Sequence, residues 1–253
     1  MTVRPAGSFL AVTLALALLV PASEGREQSV LDGETRFNNG LEHLRAGRVD
    51  MAIADFKAAI KEDPKNPYFY KGLGLAYARQ KKFSDAIDAL QKALELNPYY
   101  VDVRNDLGSV LILAGKREEG KKEFLTAFSD PTNPTPELSA RNLGQAYFEE
   151  KNYPQALNWF QTAVGKNDEY TEAYLGLADT LVAMGRLDDA ILRLEAGARK
   201  LPEAWSLIAG LGEAYYRAGR YAEARTRLEL VAGKDPTGPA GRRAAELLKK
   251  FPK

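Results

Sequence analysis

PYFYKGLGLAYARQKKFSDAIDALQKALELNPYY, residues 67–100, is the stretch whose reading decides the fold. Leu73, Gly74 and Tyr77 fall on one side of a first helix, and Ala86, Leu90 and Ala93 on one side of a second. Residues three and four apart share a helix face, so each segment presents one stripe to its partner. Pro98 cannot continue the second helix and ends the unit. The same marks return along the chain. Gly40, Gly74 and Gly108 are spaced by 34, as are Gly144, Ala178 and Gly212, and the 36-residue step from Gly108 to Gly144 is a two-residue insertion. Units therefore start at Gly33, Pro67, Val101, Glu137, Thr171 and Trp205. Position twenty-four is Phe56, Leu90, Phe124, Phe160, Leu194 and Leu228, and position twenty is Ala52, Ala86, Gly120, Ala156, Ala190 and Ala224. Small residues at positions eight and twenty let two helices approach closely, and the large residues fill the space that remains. Position fifteen is Gly47, Gly115, Gly185 and Gly219, with Lys81 and Lys151 in the other two units, and it marks the turn between the helices.

A 34-residue period with this pattern resembles the tetratricopeptide repeat (TPR) family over residues 33–238. The resemblance implies an all-α, right-handed superhelical solenoid of six helix-turn-helix repeats, 33–66, 67–100, 101–134, 137–170, 171–204 and 205–238. A single unit cannot bury its apolar face, so the array needs neighbours and an end cap. Ala244, Leu247, Leu248 and Phe251 line one face of a helix within 239–253, which suits a capping helix.

Composition narrows the function. Lys and Arg total 35 against 34 Asp and Glu, a net charge of +1, so no excess positive charge is available for a nucleic-acid backbone. The chain has no Cys and one His, which excludes thiolate sites and multi-His metal clusters. Phe9–Val20 is an apolar run after a start charged at Arg4. It is too short to cross a membrane as a helix, and it reads as the core of a secretory signal peptide, 1–22, with cleavage after Ala22 or Gly25. Residues 23–32 read as a linker. The expected location is exported, periplasmic or envelope-associated, with no transmembrane span in the mature chain.

No residue pattern supplies catalysis. His43 stands where other units place Tyr or Leu and reads as a packing residue. Gly72 and Gly74 begin a GxG string inside a helix, the wrong context for a nucleotide loop. Acid pairs such as Glu118–Glu119 and Asp188–Asp189 do not share a helix face and read as solvated surface. The expectation is a protein that is not an enzyme, has no metal or cofactor, and binds an amphipathic protein or peptide segment.

In proteins of this family the first helix of each repeat lines the concave side. By position, that resemblance nominates Phe37, Leu41, Leu44, Arg45, Tyr68, Lys71, Leu75, Arg79, Asn105, Arg141 and Gln145 as a partner-binding groove. Apolar residues at Phe37, Leu41, Tyr68 and Leu75 exceed what the core pattern requires and place the strongest expectation at the mouth formed by repeats one and two. Arg45, Lys71 and Arg79 beside them favour a partner with acidic character. The competing expectation is that Glu24–Glu34 folds back over these side chains. Lys71 fits the two-carboxylate clamp of TPR co-chaperones, but Leu75 and Leu138 depart from it, which argues against chaperone tails as ligands.

Pro131, Pro134 and Pro136 make residues 129–136 read as a stiff, extended loop. The run Asn133-Pro134-Thr135-Pro136-Glu137, leading to Leu143-Gly144, resembles the junction in the TPR pilotins of type IV pilus systems. These are exported six-repeat proteins that help assemble an outer-membrane secretin ring, and they are usually lipoproteins, whereas this chain has no Cys to lipidate. The expected function is a non-catalytic scaffold in the cell envelope. The alternatives are a pilotin-like factor for secretin assembly and a substrate-binding subunit of an envelope enzyme.

Overall fold

A computed structural model describes residues 22–251, with side chains from Asp32 onward. Its helices run in pairs: α1 (Ala22–Arg45) with α2 (Val49–Glu62), α3 (Pro67–Arg79) with α4 (Phe83–Leu96), and α5 (Val101–Leu113) with α6 (Arg117–Ser129). They continue as α7 (Pro136–Glu149) with α8 (Tyr153–Lys166), α9 (Thr171–Ala183) with α10 (Leu187–Lys200), and α11 (Trp205–Arg217) with α12 (Tyr221–Lys234), closed by α13 (Pro239–Leu248). Among the described residues there is no strand. Each pair packs on the next, which makes an all-α solenoid of six helix pairs and a capping helix.

The turn inside each pair has one geometry. In the first, Arg48 N–H donates to His43 O at 2.8 Å and Gly47 N–H to Leu44 O at 3.2 Å. These two bonds close the helix with a residue in the left-handed region, which suits glycine. Gly47, Gly115, Gly185 and Gly219 have φ of 74°, 82°, 76° and 72°. Lys81 and Lys151 hold the same turn at φ 59° and 58°, carrying a Cβ in a conformation that disfavours it.

Packing within a pair depends on position eight against position twenty-four. A Cβ on Gly108 would lie 2.6 Å from the Phe124 ring, and one on Gly120 2.6 Å from the carbonyl oxygen of Gly108. Side chains there would force the two helices apart. Phe160 of α8 serves two interfaces, because its ring lies against Gly144 of α7 and Gly176 of α9. His43 Nδ1 lies 2.8 Å from Asp55 Oδ2, a polar pair that ties α1 to α2.

At the end of the array, Ala244 and Phe251 are buried and Leu247 and Leu248 half-buried. The Phe251 ring rests 4.9 Å from that of Tyr216, whose hydroxyl donates to Lys250 O at 3.1 Å.

Three expectations need correction. Residues 23–32 are not a linker, because α1 starts at Ala22 and runs through them. Gly33 does not break that helix. It is a buried contact, where a Cβ would come within 3.3 Å of both Glu62 Cβ and the Phe69 ring. Glu24–Glu34 is accordingly part of α1 and does not fold back over the groove. Residues 129–136 are not extended either. Asp130 Oδ1 accepts from Thr132 N–H at 2.8 Å, and Asn133 Oδ1 accepts from Thr135 N–H at 2.8 Å, so two side-chain-capped turns fold the insertion. Asn133 Nδ2 also donates to Ala127 O at 2.7 Å and pins the turn to the end of α6. The expected signal peptide, apart from Ala22, lies outside the described residues. Among the described residues no helix is long and apolar enough to cross a membrane.

Candidate functional site

The first helices of neighbouring pairs touch one another, α1 with α3, α3 with α5, α5 with α7, α7 with α9 and α9 with α11, whereas the second helices do not. The stack therefore bends toward the first helices, which form its concave side. Every residue nominated for the groove lies on one of them.

At the mouth of the first two pairs the nominated residues divide. Tyr68 is 55% exposed, and its ring meets Tyr100 edge-on at 5.2 Å. Phe37 is half-buried, 5.7 Å from the Phe56 ring and 5.3 Å from the Phe69 ring. Leu41 and Leu75 are half-buried in the same cluster, and Leu44 is fully part of the core. The core uses more of these side chains than expected, because Phe37 bridges two pairs. The cations are also engaged. Arg45 pairs with Glu42, and Arg79 Nη1 donates to Leu44 O at 2.9 Å. Lys71 Nζ stands 3.6 Å from Asp106 Oδ2, 3.8 Å from Asp102 Oδ2 and 5.1 Å from the centre of the Tyr100 ring. Little free positive charge is left at the mouth to select an acidic partner.

This cluster is internally balanced. Burial pushes the Tyr100 hydroxyl up to about 12, with Tyr68, Asp102 and Asp106 adding to the effect. Burial also raises the Asp106 carboxyl, against the pull of Lys71. Asn105 beside it is buried at 4% exposure, and its Oδ1 has no hydrogen-bond partner. As a buried side chain, Asn105 is not a groove-wall contact as nominated.

The centre of the concave side differs. A recess of about 210 Å³ opens between α5 and α7, with Ile112, Leu113 and Phe124 as its apolar part and Ser109, Arg141, Asn142 and Gln145 as its polar part. Leu113 is 63% exposed. Gln145 Nε2 donates to Glu149 Oε1 at 3.1 Å, and Glu149 also faces Arg117 at 3.4 Å. Arg141 Nη1 donates to the neutral Asn142 Oδ1 at 3.1 Å. Among the described residues no carboxylate pairs with Arg141. Arg141 occupies the register of Lys71, two repeats on, and its charge reaches Tyr170 as that of Lys71 reaches Tyr100. The difference lies in the facing helix, where Asp106 is replaced by Gly176. Leu113 was not among the nominated residues, although its sequence position could have flagged it. The thirteenth position is Arg45, Arg79, Glu149 and Arg217 in four other repeats, and an aliphatic side chain stands out among them.

This arrangement can grip an apolar side chain and a neighbouring acid. It holds no nucleophile-base pair. Among the described residues no group of three or more His, Cys, Asp or Glu could hold a metal ion.

Tetratricopeptide-repeat family patterns match residues 37–101, 77–139, 147–209 and 210–238. Among curated proteins, the chain is 29% identical over 108 residues to Superkiller complex protein 3 of Homo sapiens, covering 43% of this chain but 7% of that protein. The chain thus spans a small part of the first curated relatives it matches. It is 25% identical over 188 residues to the type IV pilus assembly protein PilF of Pseudomonas aeruginosa, covering 72% of this chain and 73% of PilF. Among solved structures, PilW, a widely conserved type IV pilus biogenesis factor, superposes with a TM-score of 0.66 at 20% identity, covering 84% of this chain and 98% of PilW. The structure of Pseudomonas aeruginosa PilF gives a TM-score of 0.65 at 18% identity, covering 90% and 100%.

Proposed function

The chain belongs to the tetratricopeptide repeat family, and from that premise we propose that it is a non-catalytic scaffold holding a segment of a protein partner in its concave groove, centred on the recess between α5 and α7. One observation carries this reading. Leu113 stands exposed on the inner face beside Arg141, a cation with no carboxylate partner among the described residues. Burying a leucine stabilises a complex by about 1.5–3 kcal/mol before ordering costs. A hydrogen bond to a charged group adds about 1.5–3 kcal/mol. The preferred segment therefore presents an aliphatic or aromatic side chain next to Asp or Glu. Tyr68, Leu41 and Leu75 extend the contact toward the mouth.

The test is affinity isolation with three variants of the full chain. Leu113→Glu and Arg141→Glu should each lose the partner with helicity intact. Leu192→Glu, at an exposed leucine on α10 away from the groove, should retain it. A partner lost with Leu192→Glu and kept with the other two overturns the reading. Phe37→Glu with Leu41→Glu asks separately whether the mouth contributes.

A narrower reading, a type IV pilus biogenesis role in the envelope, is supported by coverage. The superposition spans 98% of the solved PilW chain and 100% of the solved PilF chain, so the likeness runs along those chains from end to end and not over one stretch of repeats. On this reading the protein is exported, its mature form starts at Ser23 or Arg26, and its partner is a secretin. N-terminal sequencing of the mature protein tests the first point, and loss of assembled secretin on deletion tests the second. Stable recovery with an envelope enzyme instead would favour a substrate-binding subunit.

A further inference from the structure

The concave side carries a second recess at its far end, with a volume of about 230 Å³. Leu175, Ala178 and Val182 of α9 form one wall, Ala209 and Gly210 of α11 another, and Ala240 of α13 closes it. It stays open because Ala178, Ala209, Gly210 and Ala240 among its lining residues are small. A Cβ on Gly210 would come within 2.9 Å of Leu175 Cδ2, so even one added carbon would displace that wall. An apolar cavity of about 150 Å³ accepts a benzene ring, so this one has room for a phenyl or leucyl side chain.

Four charged side chains stand at the opening. Glu213 is paired with Arg217 at 2.7 Å and with Arg243 of the capping helix. Both arginines are thus turned onto one acid. Asp179 is left as the charged group of this set with no direct ion pair or side-chain hydrogen bond among the described residues. Burial raises its carboxyl, and the opposing pull of Arg243 and Arg217 does not cancel the effect. A carboxylate so placed gains from a cation brought in beside it.

We propose that this recess is a second anchor point, which takes a large apolar side chain of a partner segment whose neighbouring lysine or arginine pairs with Asp179. The proposal rests on the groove reading above and adds to it a site with the opposite charge preference. The central recess offers Arg141 to an acid, and the far recess offers Asp179 to a base. A segment laid along the groove is thereby given a direction.

The experiment selects random twelve-residue peptides displayed against the full chain and measures synthetic copies of the enriched peptides by titration. The expected peptides carry a large apolar residue next to Lys or Arg. They should bind Asp179→Lys and Ala240→Trp about tenfold more weakly than the parent protein, as expected when one partner of a close charge pair is reversed or its pocket filled. Asp179 reaches solvent at the opening of the recess, although the surrounding groups crowd its carboxyl, so its variant is expected to keep the fold and carries the test alone if Ala240→Trp proves unstable. Peptides that lose affinity for Arg141→Glu but bind Asp179→Lys and Ala240→Trp normally overturn this inference and leave the groove reading standing. Peptides indifferent to all three variants, or no enrichment, overturn both.

Discussion

Gly176→Ala is the substitution whose outcome the packing fixes most sharply. Gly176 lies inside α9, where alanine is intrinsically better by about 0.5–1 kcal/mol because glycine has more freedom to lose. The structure predicts the opposite sign. The new Cβ would lie 2.2 Å from Cε1 and 2.5 Å from Cζ of Phe160, and that ring is 1% exposed, with Gly144 on its other side. Overpacking of this kind costs about 1–3 kcal/mol, so the net effect is a loss of about 1–2 kcal/mol. The reasoning is tested by a double-mutant cycle with Phe160→Leu, which removes Cε1 and Cζ, the two atoms nearest the new methyl group. In that background Gly176→Ala should be neutral or stabilising by up to about 1 kcal/mol, a coupling of about 1–3 kcal/mol. Urea unfolding followed by helical circular dichroism gives the midpoints, and an unchanged slope confirms that stability and not the denatured state has changed. Stabilisation by Gly176→Ala in the parent chain, or equal losses in both backgrounds, would refute the role given to Phe160.

Lys81→Gly and Lys151→Gly should each stabilise by about 0.5–1 kcal/mol, because relief of a left-handed Cβ outweighs the entropy cost of glycine at these turns; a lowered melting temperature would count against the strain. Gly165→Ala in α8 and Gly233→Ala in α12 should raise stability by about 0.5–1 kcal/mol, since a Cβ at either site meets nothing within 4 Å, and a loss in thermal melts would show hidden crowding. Burial raises the Asp106 carboxyl above 3.8, so just above that value the folded chain retains a proton that the unfolded chain has lost. Its contribution to stability therefore falls as pH rises through that window, and Asp106→Asn should remove the fall, visible as a gap between parent and variant urea midpoints that widens with pH.

What the sequence revealed and what it hid follow from one distinction. Positions eight, twenty and twenty-four meet the same neighbours in every pair, so the same demand recurs each 34 residues and leaves a period. Gly108 against Phe124 and Gly144 against Phe160 are one contact repeated, which is why the helix pairs could be read directly. The start of α1 was hidden because Gly33 looks like punctuation, yet its missing side chain serves contact with Glu62 and Phe69. The folded insertion was hidden because prolines suggest extension, whereas the Asp130 and Asn133 side chains supply the hydrogen bonds that turn the chain.

The groove obeys no period, and the fifth position of each repeat shows why. Phe37 is drawn into the core by Phe56 and Phe69. Lys71 is held by Asp102 and Asp106 of the next pair, and Asn105 is buried. Gly176 stands in the register of the Asp106 that holds Lys71, and Arg141 has no carboxylate partner among the described residues. Leu175 and Ala209 leave a hollow between them. Phe37 and Lys71 are engaged by residues of other helices, distant in sequence, so residue type at one position cannot announce the outcome. The same fact supports the sites proposed for binding. A contact that recurs in all repeats serves the stack, whereas a side chain left without a partner by one substitution on the facing helix is available to something else. By that criterion, Arg141 with Leu113 and Asp179 with its recess are the places where binding energy remains to be realised, and the half-packed residues at the mouth hold less of it.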